Sequence, residues 1–118
     1  MATVLVVDDS AFMRMRNVSV VKELGYEVLE ASDGREAVEV YKKTRPAAVL
    51  MDITMPNTDG LTALGEILAF DSHAKVAMVS AMGQQSIVIE AIKAGARDFV
   101  VKPFESDRVK AALNKLVG

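Results

Sequence analysis

The chain has no cysteine in its 118 residues. That absence excludes a disulfide scaffold, a thiolate metal site and a thiol nucleophile. A single histidine, His73, leaves no histidine-rich zinc site and only one imidazole that could act as a base. Charge of neither sign dominates: 14 Lys and Arg face 16 Asp and Glu, for a net charge of −2. Such a surface has no general attraction for nucleic acid or for an anionic membrane. Long apolar runs are missing as well. None approaches the roughly 18 residues that a membrane span needs, and no basic segment precedes an apolar one as in a secretory leader. Internal repeats, low-complexity tracts and linkers are lacking too. Together these absences predict one soluble, cytoplasmic, monomeric domain over residues 1–118, with no appendage and neither nucleic acid nor membrane as a partner.

What is present suffices for a core. Hydrophobic residues make up 51% of the chain and charged residues 25%, the balance of a globular domain rather than a disordered one. A domain of this length buries about two-thirds of its unfolded surface, so it needs no staple. Five short apolar runs, at 4–7, 26–31, 47–51, 75–80 and 98–101, read as strands, because each contains valine and three hold two or more. Three stretches within them (4–7, 48–51 and 76–79) do not alternate with polar residues. Strands of that kind are covered on both faces, which implies a parallel sheet between layers of helices.

Helical patterns fill the gaps, at 11–24, 35–44, 61–70, 84–94 and 106–117. The first carries Phe12, Met15, Val18 or Ser19, Val21 and Leu24 and stops at Gly25, a natural end residue. The second buries Ala37, Val38 and Tyr41 and is closed off by Pro46. The third follows an Asp59-Gly60 turn. The fourth contains Ile87, Val88, Ala91 and Ile92 before Gly95. The last begins on a Ser106/Asp107 cap and buries Val109, Ala112, Leu113 and Leu116 at helical spacing. Strand and helix therefore alternate five times, which predicts right-handed crossovers and a doubly wound five-stranded parallel α/β fold.

In such a fold, ligands gather at the carboxyl ends of the strands. Asp8, Asp9 and Ser10 follow the first strand, Asp52 the third, Ser80-Ala81 ends the fourth, and Lys102-Pro103 follows the fifth. Three carboxylates, a hydroxyl and an ammonium thus share one rim. Three anions in one cleft repel each other unless something positive intervenes. A hard divalent ion held by a few carboxylates, a backbone carbonyl and waters answers this, and that coordination suits Mg²⁺. Lys102 adds a cation that grips a phosphoryl oxygen, and Ser80 a hydrogen-bond donor. These are the parts of a phosphoryl-transfer site. Asp8 and Asp9 are neighbours whose side chains should diverge, as suits metal ligands. Asp52 stands alone mid-rim, where a carboxylate can form an acyl phosphate. Each feature also has a plainer reading: the acids after the first strand as a helix cap, Asp52 as a turn residue, Lys102 as a solvated lysine. Their joint placement at four strand ends favours the site.

The pattern Val6-Val7-Asp8-Asp9, then Asp52-Ile-Thr-Met-Pro56 with Asp59-Gly60, Ser80-Ala81 and Lys102-Pro103-Phe104 resembles the receiver domain of two-component response regulators. The likeness spans nearly the whole chain. Phe12-Met-Arg14, residues 80–85 and residues 89–95 are particularly similar to the single-domain chemotaxis members. The resemblance implies the flavodoxin-like strand order 2-1-3-4-5. It also implies that Asp52 accepts phosphate from a kinase phosphohistidine. Asp9, Asp52 and the Thr54 backbone carbonyl would hold Mg²⁺ directly, with Asp8 acting mostly through water. Lys102 would contact the phosphoryl group. Ser80 would move toward it and Phe99 rotate inward behind it, reshaping the face made by the fourth helix, fifth strand and fifth helix. Small Ala81 would leave room for the phosphoryl group, and the family suggests a cis bond before Pro103. The implied partners are a CheA-like histidine kinase as donor, a flagellar switch protein as target, and a phosphatase. A phosphorelay or other motility receiver, or a receiver cut from a longer regulator, is the alternative.

Departures from the pattern are modest. Ser80 stands where many receivers have Thr, Thr58 where many have Met or Leu, and Phe99 where chemotaxis members commonly have Tyr. Without family likeness, Phe99 and the methionines Met13 and Met15 read as core or partly buried, and His73 as an exposed loop residue. Rival functions fit less well. An aspartate-nucleophile phosphatase needs a second aspartate two residues on, where this chain has Thr54. A flavin or nucleotide carrier needs a Gly/Ser/Thr-rich loop after the first strand, where this chain has acids. A phosphate-free scaffold would not need the full set of signature residues. The expectation is a switch that catalyses only its own phosphorylation and dephosphorylation.

Overall fold

Runs that are apolar without alternation become the three central strands, because side chains on both of their faces have somewhere dry to go. A computed structural model describes residues 2–53, 60–80, 85–102 and 106–117. Its strands are β1 (Thr3–Val7), β2 (Glu27–Ala31), β3 (Ala48–Asp52), β4 (Val76–Ser80) and β5 (Asp98–Val101). Its helices are α1 (Ala11–Glu23), α2 (Gly34–Thr44), α3 (Gly60–Phe70), α4 (Gln85–Ala94) and α5 (Ser106–Val117). The strands form one parallel sheet in the order β2-β1-β3-β4-β5, as expected. Every residue of β1, β3 and β4 except Thr3 is buried, whereas edge strands β2 and β5 are partly exposed.

Alternate strand residues feed two separate cores. Leu5, Val7, Val49, Met51, Val76 and Met78 pack with α2, α3 and α4 on one face. Val4, Val6, Leu50, Ala77, Val79 and Val100 pack with α1 and α5 on the other. Because the helices run back against parallel strands, every strand delivers its carboxyl end to one rim and every helix its carboxyl end to the opposite rim.

Two helix faces differ from expectation. On α1 the buried residues are Asn17, Val18 and Val21, while Phe12 and Met15 are each 61% exposed; the apparent Phe12/Met15 stripe is a solvent face. On α4, Val88 and Ala91 are buried but Ile92 is exposed. Helix ends also shift in detail. Gly25 ends the turn after α1 at φ +95°, as a glycine there should. By contrast, α2 is closed by Arg45 in the left-handed region, at φ 45°, one residue before Pro46. Ser106 is the first residue of α5 rather than its cap.

At the rim far from the strand carboxyl ends, α2 is stapled to the end of α3. The buried Tyr41 hydroxyl donates to Asp71 Oδ2 at 2.9 Å, and its ring meets Phe70 edge-on. Burial, then the hydrogen bond to the Asp71 carboxylate and its charge, push Tyr41 up to about 12 from 10.0. The folded state thus favours the neutral phenol. Its stabilisation is intact below pH 10 and fades as pH rises from 10 toward 12. Absorbance titration should show one tyrosine ionising near pH 12, and Tyr41→Phe should remove both that step and this part of the alkaline stability loss. An unchanged titration in the variant would contradict the assignment. The lone histidine lies on the same rim, exposed, its amide donating to Asp71 Oδ1.

Candidate functional site

Parallel register decides which side chains meet at the other rim. Asp52 pairs with Val79, and Ser80 with Val101, so Asp52 and Ser80 end β3 and β4, while Lys102 follows β5 and Asp8 follows β1. Ladder bonds continue past the strands: the Ile53 amide donates to the Val79 carbonyl, and the Lys102 amide to the Ser80 carbonyl at 2.7 Å. Lys102 is thereby aimed back across the rim. Its Nζ lies 3.1 Å from Asp8 Oδ2 and 3.3 Å from Asp52 Oδ2. Asp8, Asp52 and Ser80 are buried, Asp9 is exposed.

Asp8, Asp9 and Asp52 each present a carboxylate oxygen, and these oxygens lie within 4.8 Å of one another. The expected divergence of Asp8 and Asp9 is therefore corrected: they converge. Side chains of neighbours diverge on a strand, but β1 ends at Val7 and the chain turns at once. Asp8 Oδ1 accepts the Ser10 amide at 2.9 Å, and Ser10 caps α1 by accepting the Met13 amide on its hydroxyl. The plainer capping reading is thus true of Ser10, and it coexists with the acid cluster.

Lys102 answers three negative charges with one positive charge. Burial alone would lower its pKa, but the negative charges of Asp52 and Asp8 beside it outweigh that, so its pKa is raised above the ordinary lysine value. Lys102 is fully charged at neutral pH. Even so, the buried Asp8 Oδ2 accepts no well-directed hydrogen bond among the described residues. Hard oxygens, excess negative charge and an under-satisfied buried carboxylate are the conditions that a small divalent cation meets, and Mg²⁺ fits this donor set. Lys102→Met should leave Asp8 buried without its cation and lower stability by about 1–3 kcal/mol, less than for a fully dry pair because Lys102 is partly solvated. Added Mg²⁺ should return most of the loss. Urea unfolding with and without Mg²⁺ measures both; a midpoint unmoved by the substitution would contradict the role of Lys102.

Phe99, read on its own as core, is instead 38% exposed on β5. Arg108 on α5 holds it there: the guanidinium donates to Asp98 Oδ1 at 2.9 Å and to the Phe99 carbonyl, and lies 5.9 Å from the ring centroid. Although burial would raise the Asp98 pKa, hydrogen bonds from Arg108 and the Phe99 amide carry it below the ordinary value. Thr54, Ala81 and Pro103, with the Asp59 half of the turn, lie outside the described residues.

Two residues that bear on the site were not read from the sequence. Gly60 opens α3 with its amide donating to the Ile53 carbonyl, and a Cβ there would sit 2.2 Å from the Asp52 carbonyl oxygen. Glycine is needed here for the close approach of the two backbones. Arg14 donates to the Asp8 carbonyl at 2.7 Å. Its signal was available: a cation near a helix N-terminus opposes the macrodipole, so it asks for a local anion or carbonyl.

The described geometry, with acids from two strand ends beside the lysine of a third, is that of a receiver, and comparison with known proteins agrees. Residues 4–114 match the family model "Response regulator receiver domain", and the chain belongs to that family. Within it, the chain is closely related to chemotaxis proteins named CheY. The CheY of Thermotoga maritima is 58% identical, covering 96% of this chain and 95% of that one. The CheY of Bacillus subtilis is 57% identical, with 95% and 94% covered. Among solved structures, a CheX-CheY-BeF3-Mg complex from Borrelia burgdorferi superposes at a TM-score of 0.92 with 36% identity, covering 99% of this chain and 90% of that one.

Proposed function

We propose that the protein is a phosphorylation-driven switch in chemotaxis, with Asp52 as the phosphoacceptor. One observation carries this reading: Asp8, Asp9 and Asp52 bring carboxylate oxygens within 4.8 Å of each other, and Lys102 reaches Asp52 at 3.3 Å. An Asp52 oxygen attacks phosphorus; the new O–P bond forms as the P–N bond of a donor phosphohistidine breaks, and the leaving imidazole takes up a proton. Asp9 and Asp52, with Asp8 beside them, would hold Mg²⁺, together with the Thr54 carbonyl that the family resemblance implies, and the ion would supply charge neutralisation at the phosphoryl oxygens. Lys102 balances the same charge from the other side. Ser80 donates a hydrogen bond to a phosphoryl oxygen.

The chain acts only on itself, taking up phosphate and later losing it to water or with the help of a phosphatase. The output is a binding event. Ile89, Ile92, Phe99 and Val101 are exposed apolar residues on α4 and β5, suited to a protein partner. Inward rotation of Phe99, following Ser80, alters that surface through a local charge change. Similarity to CheY supports a CheA-like histidine kinase as donor and a flagellar switch protein as target, both met in the cytoplasm. The Mg and CheX named with the Borrelia relative support the cation and a protein partner here. The test is intact-mass measurement after incubation with a small acyl phosphate. One phosphoryl group should appear with Mg²⁺ and none with chelator; uptake indifferent to Mg²⁺, or no uptake, overturns the reading.

A further inference from the structure

Convergence of Asp8 and Asp9 needs a cause, since neighbouring side chains ordinarily part. The peptide between them sets the direction of Asp9, and its oxygen is the Asp8 carbonyl. That carbonyl lies just past the end of β1. Arg14, in the second turn of α1, donates to it from Nη1 at 2.7 Å. The same guanidinium donates from Nε to Glu30 Oε1 on β2 at 3.1 Å. From the other side, the Asp8 amide donates to the Ala31 carbonyl of β2 at 3.2 Å. The Asp8 unit is thus fixed at both its amide and its carbonyl, with the planar fork of one arginine bridging α1, the turn and β2.

We propose that Arg14 is a positioning residue for the cation site: it locks the Asp8–Asp9 peptide so that both carboxylates face Asp52. The inference rests on the proposed Mg²⁺ reading. The Arg14–Glu30 pair is largely exposed on the Glu30 side, at 53%, and such a pair contributes little to stability by itself. The bond to the Asp8 carbonyl is the one that matters to the site. Lysine cannot replace it fully, because a single ammonium lacks two donors set at the fixed angle of the fork. Outer-shell partners of metal ligands typically change metal affinity by about 10–100-fold when removed.

Isothermal titration of the full, unphosphorylated chain with Mg²⁺ alone tests this, beside urea unfolding without metal. Arg14→Ala should weaken Mg²⁺ binding about 10-fold or more, Arg14→Lys should recover part of it, and Glu30→Gln should stay within about two-fold of wild type. A structural role alone would lower the urea midpoint of Arg14→Ala and leave the Mg²⁺ dissociation constant of the folded protein unchanged, which overturns the proposal. Should the alanine variant not fold, Arg14→Lys decides: affinity within two-fold of wild type overturns it equally. Wild-type protein that binds no Mg²⁺ removes the metal reading itself, and this inference with it.

Discussion

Asp52→Asn is expected to abolish phosphoryl uptake from a small acyl phosphate while leaving the fold intact. The amide keeps the shape of the carboxylate but is a far poorer nucleophile, so no O–P bond forms at this position. Loss of activity usually invites the suspicion of lost structure, and electrostatics argues against it here. Among the described contacts, the substitution gives up the attraction to Lys102 at 3.3 Å and two repulsions between oxygens within 4.8 Å. At an effective dielectric of 20 these are roughly 5 kcal/mol lost against roughly 7 kcal/mol of repulsion relieved, before screening. The urea midpoint without divalent ions should therefore be equal to or slightly above that of wild type. Affinity for Mg²⁺ should fall, since one of three carboxylates is gone. A clearly lower midpoint would mean that Asp52 is structural, and retained uptake would move the acceptor elsewhere.

The second large effect is expected at a residue with no side chain, from steric packing rather than charge. Gly60→Val should destabilise the protein by more than about 3 kcal/mol, the size reserved for overpacking that the surroundings cannot absorb. A Cβ at this position meets the Asp52 carbonyl oxygen at 2.2 Å, the Ile53 Cα at 2.8 Å and the Ile53 carbonyl oxygen at 2.9 Å. All three are backbone atoms, so relief requires β3 or α3 to move. Gly95 offers the contrast. Its Cβ would meet the flexible end of Leu68 at 2.6 Å, and its φ of +121° is the greater obstacle. At position 60 the obstacle is the neighbouring chain itself. Displacement there pushes on the carbonyl of Asp52, the proposed acceptor, so whatever fraction of Gly60→Val folds should also take up phosphate more slowly. Urea unfolding and single-turnover uptake measure the two effects; a stability within about 1 kcal/mol of wild type would show that the close approach is easily relieved.

Much of this molecule was legible because its central strands are apolar throughout. Residues 4–7, 48–51 and 76–79 could be placed between helix layers from that fact, and with them the rim on which Asp8, Asp52, Ser80 and Lys102 meet. The strand-end rule needs no knowledge of register to gather these residues. What it cannot supply is direction. Convergence of Asp8 and Asp9 depends on the chain turning immediately after Val7 and on a hydrogen bond from Arg14 five residues beyond Asp9, neither of which periodicity encodes. The face of α1 was misjudged for a related reason: Phe12 and Met15 mimic a core stripe, while the buried one includes Asn17, whose Oδ1 accepts no hydrogen bond among the described residues. The close approach at Gly60 is not visible in the sequence, since contact of two backbones is a tertiary fact. Phe99 could be seen as apolar but not as outward, because Arg108 and Asp98 set its surroundings from another element.

Location of the phosphoryl group bears most directly on the central claim, that converging acids make Asp52 the acceptor. Protein treated with acyl phosphate and Mg²⁺ would be reduced with borohydride, which converts an aspartyl phosphate to homoserine, then digested and mapped by mass spectrometry. Homoserine at position 52, and at no other aspartate, is the expected result. Homoserine at Asp8 or Asp9, or a phosphate stable to reduction on a serine or threonine, would contradict it.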